Sequence, residues 1–368
     1  MRPTWADIDL DAISSNVGAM VDLVAPAMVC AVVKADGYGH GSVPVSRAAI
    51  DAGAAWLAVA LVEEGRVLRE AGIMAPILVL SEPRPHEMVE VVAYDLTPSV
   101  YSGEGLAAAA AAANQGGRRL DVHLKIDTGM HRVGARPEDA VALATAIADK
   151  EPIDLAGVWT HCAVADDPDP SYTNRQLDTY DAVCADIEGA GLAVGMRHAG
   201  NSAVAIAHPR GRYDMVRVGI ATYGVAPAPS LADRFELAPA MTVRSQISFA
   251  KRITAGDGVS YGLVWEAPAD TTIATVPIGY ADGIRRRSGR VGGEVLIRGR
   301  RHPIVGQVTM DQLMVDCGDA EVAAGDEVVL IGAQGDDRIS AEEWAAKLDT
   351  IGYEIVCDIE SRVPRRYF

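Results

Sequence analysis

From residue 28 onward, short apolar strand candidates recur eight times, at intervals long enough to hold a helix, the first of them rich in β-branched residues. They span residues 28–33, 56–62, 77–80, 95–100, 120–126, 155–159, 195–198 and 215–220. A continuous apolar run without period-2 alternation suits a strand covered on both faces, the habit of parallel sheets. Helical patterns such as 46–52, 63–71 and 137–148 fall between the runs. This alternation implies parallel pairing, and eight such units in about 200 residues fit a TIM-like (β/α)8 barrel. A doubly wound open sheet satisfies the same pattern. Ahead of the runs, residues 5–10 alternate apolar and polar as a strand does, and 11–24 has helical spacing. The alanine run 107–113 is a strong helix former, ended by Asn114-Gln115-Gly116.

The texture changes after Phe235. Runs at 242–249, 271–276, 294–297, 302–308, 313–317 and 327–331, separated by Gly and Pro turns, predict a second, mostly antiparallel β domain. One helix is expected at 340–348, opened by a Ser340/Glu343 capping box. The expected division is a barrel domain over 1–235, its first few residues open to joining the β domain, and a β domain over 236–368. The crossing is set near Ala238-Pro239.

The formal net charge of -17 opposes binding to nucleic acid or to anionic membranes. Five cysteines without a C-x-x-C pair suit neither a disulfide framework nor a zinc site. Arg285-Arg286-Arg287 and Arg300-Arg301 lack interleaved aromatics and read as a solvated loop. There is no apolar signal core at Met1-Arg2-Pro3-Thr4-Trp5 and no 18-residue apolar run. The expectation is a soluble, reduced, cytoplasmic protein without a metal.

In parallel α/β barrels the site lies at the C-terminal ends of the strands. The first run ends at Lys34, within Cys30-Ala31-Val32-Val33-Lys34-Ala35-Asp36-Gly37-Tyr38-Gly39-His40-Gly41. Burial there disfavours an ammonium, and a neutral amine can form a Schiff base with an aldehyde. The glycines suit close approach of backbone to a ligand. Position 42 is serine, so the spacing is not the dinucleotide G-x-G-x-x-G. The fifth run gives Lys125, then Asp127 and Arg132; the sixth is followed by Thr160-His161, and the seventh by Asn201-Ser202. The eighth holds Arg217 and ends in Gly219-Ile220. Singly, each has a structural explanation: a snorkelling lysine, an ion pair, a hydrogen-bonded histidine, a helix cap. Together they suit an anionic, phosphate-bearing ligand.

These segments resemble alanine racemases, the pyridoxal 5'-phosphate (PLP) enzymes that interconvert L- and D-alanine. The resemblance runs on through Lys125-Ile126-Asp127-Thr128-Gly129-Met130-His131-Arg132-Val133-Gly134. In the β domain it rests on Val259-Ser260-Tyr261-Gly262, Pro277-Ile278-Gly279-Tyr280-Ala281-Asp282-Gly283, Val308-Thr309-Met310-Asp311-Gln312 and Gly352-Tyr353-Glu354. It implies that Lys34 is the Schiff-base lysine and one catalytic base, with Tyr38 at the cofactor phosphate. Asn201, Ser202 and the amides of Gly219 and Ile220 would also bind cofactor, as would Tyr353. Arg217 would face the pyridine nitrogen, with His161 linked to it. Arg132 would bind the substrate carboxylate, oriented by Lys125, a lysine often carbamylated in the family, and Met310 would give that carboxylate its amide. Tyr280, Asp311 and Tyr353 would line the approach. Tyr261 would be the second base, supplied by the partner in a homodimer with shared sites. The implied role is supply of D-alanine for peptidoglycan. Three positions depart from the family's commoner wording: Asp36-Gly37 for Asn-Ala, His131 for glycine or asparagine, and Gln307 for arginine. A broad-specificity or serine racemase on the same scaffold is one alternative. A PLP carrier without turnover is the other, although such single-barrel proteins lack the β domain.

Overall fold

Met-Val-Cys-Ala-Val, Met28–Val32, buries four of its five residues. That is the mark of a strand covered on both faces. In the computed structural model, which describes residues 2–368, it is the first of eight parallel strands. The others, in chain order, are Trp56–Val59, Ile77–Val79, Thr97–Val100, Leu120–Lys125, Ile153–Trp159, Met196–His198 and Met215–Val218. Each pairs with the next as far as the seventh, and the first pairs with the eighth. Backbone bonds from Asp214 N to Arg197 O (3.0 Å) and from Arg217 N to Gly200 O (2.8 Å) tie the eighth strand to the seventh and its extension. The sheet is therefore a nearly closed barrel, and the open-sheet alternative falls away. Between strands run Ser42–Asp51, Val62–Glu70, Met88–Ala93, Gly103–Gly116, Ala140–Ala148, Ser171–Gly189 and Ser202–Ala207. The compact unit built this way comprises Ile13–Gly37 and Ser42–Ala238.

The second unit comprises Met1–Ala12, Tyr38–Gly41 and Pro239–Phe368. Its ten-stranded sheet is antiparallel except where Thr4–Ile8 pairs in parallel with Arg365–Tyr367. Thr4–Ile8 also pairs antiparallel with Met241–Gln246. A separate two-stranded hairpin joins Gly258–Val259 to Trp265–Glu266. Val259, Ile273 and Val305 pack beneath it with Trp265 and Met314.

Several boundaries differ from the sequence reading for local reasons. The second strand stops at Val59 because the amides of Ala60 and Leu61 turn to the Glu64 carboxylate (2.8 and 3.1 Å). The eighth stops at Val218, and Gly219-Ile220 instead opens a 3-10 turn. The run 242–249 is two strands, Met241–Gln246 and Phe249–Ile253. At the last predicted helix, Ser340 Oγ accepts from Glu343 N (3.1 Å). The Glu343 carboxylate binds Arg301 and Lys347.

Candidate active site

The barrel unit gathers its candidate residues at strand ends. Lys34 follows the first strand and precedes a left-handed turn, with φ of 52° at Ala35, 50° at Asp36, 62° at Gly37 and 50° at Tyr38. Each non-glycine residue in that region costs roughly 1–2 kcal/mol. Two side chains offset this. Ala35 N donates to Glu64 Oε1 at 2.6 Å, and Ser42 N donates to Asp36 Oδ1 at 2.8 Å. One of the glycines answers to a contact inside the protein. A Cβ on Gly39 would lie 2.5 Å from Val356 O, so the close approach there is to the protein's own backbone.

Arg217 is buried on the eighth strand and saturated on both amino groups. Nη1 donates to His198 Nδ1 (2.9 Å) and His198 O (3.2 Å). Nη2 donates to Thr160 O (2.8 Å), His161 Nδ1 (3.1 Å) and Ala199 O (3.1 Å). Trp159 lies beneath two cations, with Lys125 Nζ 4.3 Å and Arg217 Cζ 4.5 Å from its ring centre. Burial, then the charges of Arg217 and Arg132, pull the Lys125 amine down to about 7. Burial draws Arg217 down to about 10, still charged at neutral pH. His161 is held well below the ordinary imidazole range, first by burial and then by Arg217, Arg132, Lys125 and Lys34. These residues therefore share one electrostatic neighbourhood.

Arg132 is exposed on the loop after the fifth strand. Asp127 Oδ1 shapes that loop by accepting from Gly129, Met130 and His131 amides, each at 3.0 Å. Asn201 caps the helix Ser202–Ala207, its side chain accepting from Val204 N at 3.0 Å. Ser202 does not cap; its Oγ accepts from Gly219 N (3.0 Å) and Ala221 N (3.4 Å).

The β unit holds the remaining candidates. Tyr261 opens a 3-10 turn at the tip of the short hairpin and is 74% exposed. Ser260 Oγ anchors that tip to Gln307 O at 2.6 Å, and Gln307 Nε2 donates to Arg286 O at 2.7 Å. Tyr280 N donates to Thr309 O (2.9 Å) and Ala281 N to Met310 O (3.1 Å), so the Tyr280 and Met310 segments are joined through backbone. The fully buried Asp282 carboxylate accepts from Arg2 and from Gly279 N, which fixes the Tyr280 turn. Asp311 accepts from Arg362 (2.7 Å). Tyr353 lies on the helix Gly352–Cys357, its ring centre 6.2 Å from that of Tyr38.

Sequence reasoning missed His198, His123, Trp159 and Glu64. The first three lie inside or at the ends of barrel strands; His123 and His198 are visible in sequence as polar residues in apolar runs, but what they meet is set by the register between strands. Among the described residues no cluster of three metal-ligating side chains occurs, and no helix is long and apolar enough to cross a membrane.

Residues 8–227 match the family "Alanine racemase, N-terminal domain" and residues 240–367 match "Alanine racemase, C-terminal domain". The alanine racemase of Symbiobacterium thermophilum is 48% identical over 373 residues, covering 100% of this chain and 97% of that protein. The crystal structure of alanine racemase from a D-cycloserine-producing Streptomyces lavendulae superimposes with a TM-score of 0.95. Identity there is 40%, with 100% of this chain and 97% of that one covered. A Bacillus anthracis alanine racemase solved with bound L-Ala-P gives a TM-score of 0.95 at 38% identity, covering 100% and 95%. The C-terminal match sets aside the single-barrel carrier alternative.

Proposed function

The chain belongs to the alanine racemase family, and on that premise we propose that it racemises alanine with PLP carried on Lys34, using Lys34 and Tyr261 of the partner subunit as the two bases. When bound, PLP would draw electrons from the substrate Cα and so acidify its C–H bond. The residues present fit such a group. Ser202 Oγ already accepts from two amides, which leaves its proton for a phosphate oxygen. Ile220 opens a 3-10 turn, and its amide has no acceptor within that turn. Asn201, Gly219, Tyr38 and Tyr353 would complete the binding. Arg217 Nε–H is the guanidinium donor outside the five bonds described above. An arginine there donates to the pyridine nitrogen without releasing its proton.

The observation that carries the reading is the bond from Arg217 to His161 Nδ1. A guanidinium only donates, so His161 Nδ1 must accept, and the imidazole is neutral with its proton on Nε2. That proton is available to the oxygen of Tyr261, and hydrogen bonding to a phenolate favours the deprotonated form the base needs. Lys34 would take or return the Cα proton on one face, Tyr261 on the other. Arg132 and the Met310 amide would hold the substrate carboxylate, with Tyr280 and Asp311 along the approach. A Lys125 amine near neutrality is in the form that reacts with carbon dioxide, which supports the carbamate that would orient Arg132.

The assembly proposed is a homodimer, supported by the exposed apolar tip at Tyr261, Leu263 (67%) and Val264. The cellular role proposed is cytoplasmic supply of D-alanine for peptidoglycan. Borohydride reduction of the purified protein followed by peptide mapping should put the label on Lys34, and label elsewhere overturns the assignment. Racemisation assays on a panel of L-amino acids separate a strict alanine enzyme from a broad-specificity or serine racemase.

A further inference from the structure

Behind Arg217 lies a buried relay that the chemistry above does not use. The register of strands five, six and seven sets His123 beside Gly157 and Gly157 beside Met196. Two residues on, it sets Lys125 beside Trp159 and Trp159 beside His198. Residues two apart on a strand share a face, so these are neighbouring rows of one surface. A Cβ at Gly157 would lie 2.8 Å from Met196 O and 3.0–3.1 Å from the His123 ring. Its absence makes room for the ring of His123, whose Nδ1 lies 2.9 Å from His198 Nε2. His198 also stacks on Trp159, with 8° between the planes.

The direction of the chain follows from the arginine. Because Arg217 can only donate, His198 Nδ1 must accept. A neutral His198 then carries its proton on Nε2 and donates it to His123 Nδ1. His123 in turn carries its own proton on Nε2. That atom is buried without a hydrogen-bond partner among the described residues. Burial, then the charge of Arg217, pushes His123 down to about 3 and His198 well below its ordinary value, so both rings are neutral at neutral pH. An orphaned donor opposes folding, and an apolar side chain at position 123 would avoid it. What the imidazole contributes is therefore at its other nitrogen.

We infer that His123 is a positioning residue for Arg217: by accepting the Nε2 proton of His198, it holds that ring in the orientation and tautomer whose Nδ1 receives the guanidinium. Without that acceptor, a half-turn of the His198 ring costs no bond at its far end and turns Nδ1 away from Arg217. Nη1 then loses the shorter of its two bonds, and the guanidinium plane is free to tilt.

The test uses the protein as purified, labelled with 15N at histidine and read by long-range 1H–15N correlation around neutral pH. His198 signals are assigned by substitution. The expected wild-type pattern is a single neutral tautomer protonated on Nε2. In His123→Phe the His198 pattern should shift toward the other tautomer or broaden by exchange between the two. In His123→Asn, whose Oδ1 can stand in for the lost acceptor, the wild-type pattern should return. His123→Leu serves the same purpose if His123→Phe does not fold. A wild-type His198 protonated on Nδ1, or one unmoved by loss of the acceptor, overturns the inference. A rate measurement rests additionally on the function proposed above. kcat should fall about tenfold in His123→Phe, the worth of one neutral hydrogen bond, with KM unchanged. A tautomer shift with kcat and cofactor absorption unmoved supports the relay and overturns Arg217 as the neighbour of the pyridine ring.

Discussion

The barrel unit and the β unit present their candidate residues in opposite ways. In the barrel, Arg217, Lys125 and Ser202 are buried: Arg217 bonds two histidines and backbone carbonyls, Ser202 Oγ accepts from backbone amides, and Lys125 Nζ lies over the Trp159 ring. In the β unit, Tyr261, Met310 (52%) and Tyr280 (41%) stand exposed on turns whose backbones are pinned from behind. A buried polar group must be satisfied to be tolerated, so the barrel cluster is bound into the stability of its unit. An exposed side chain carries no such debt and can be tuned for chemistry alone. Substitutions should therefore separate: in the barrel, rate and stability move together; at the β tips, rate moves by itself.

Tyr261→Phe is the sharpest case and should give the largest change in rate. It removes one hydroxyl from a ring that is exposed on its own unit and keeps the apolar surface the partner would cover, so the urea midpoint should stay put. Loss of one positioned acid-base group costs about 10²–10⁴-fold. The loss should be asymmetric, with α-proton exchange impaired far more for one enantiomer than for the other. Mixing Lys34→Ala and Tyr261→Phe proteins under subunit exchange should restore activity, because one site of the heterodimer is then intact. Verified heterodimers that gain nothing would exclude the shared site.

Arg217→Leu should behave in the contrary manner. It strips donors from His198 Nδ1, Thr160 O, His161 Nδ1 and Ala199 O. Each buried acceptor left unpaired costs about 1–3 kcal/mol. A fall in the urea midpoint together with the rate, at constant m-value, is the expected result. Lost activity with undiminished stability would erase the contrast between the two units.

The same contrast explains what could be read from sequence. Most of the eight strands are legible because parallel strands covered on both faces are largely apolar, and the β sheet because Gly and Pro turns punctuate it. The helix Ser171–Gly189 is less legible in sequence, because its buried positions include Thr173, Gln176 and Tyr180, which blur the apolar stripe. Lys34 and His161 stand out because they follow apolar runs, and Arg217 because it is a charge inside one. His123, Gly157 and His198 do not, since their meaning lies in register between strands as much as 75 residues apart. The left-handed turn after Lys34 looks in sequence like a glycine motif, yet three of its four residues with φ between 50° and 62° are not glycine.

Lys125 gives a subtler contrast, visible only against pH. Its folded-state pKa near 7 lies below the roughly 10.4 of a lysine in an unfolded chain. Between those values the unfolded state holds the extra proton, so this residue makes stability rise with pH across that window. Below about 7 both states are protonated and its contribution is flat. Lys125→Met should remove the rise. Urea midpoints measured at the two ends of the window, in buffer free of carbon dioxide, should diverge for the two proteins. Parallel curves would show that the folded protein does not hold a neutral amine there. With carbon dioxide present, the native mass of the wild type should increase by one carbon dioxide, and that of Lys125→Met should not.

The smallest effect is expected at Glu64, and it probes what holds Lys34 in place. Its carboxylate receives three amides: Ala35 on one oxygen, Ala60 and Leu61 on the other. It thus ties the ends of the first and second strands and anchors the first residue of the left-handed turn. Glu64→Gln keeps the shape and retains one acceptor oxygen, so one end must be given up. Hydrogen bonds to a charged group contribute about 1.5–3 kcal/mol, and the strained residues of the turn need some such support. If Ala35 is released, the turn relaxes and Lys34 loses its fixed exit from the strand. The expected outcome is a stability loss of about 1–2 kcal/mol with kcat reduced severalfold and KM little changed. Glu64→Asp, too short to span both strand ends, should do at least as much. If stability falls while kcat is untouched in both variants, the strand alone positions Lys34. The preorganisation assigned to the barrel half would then stop short of its lysine.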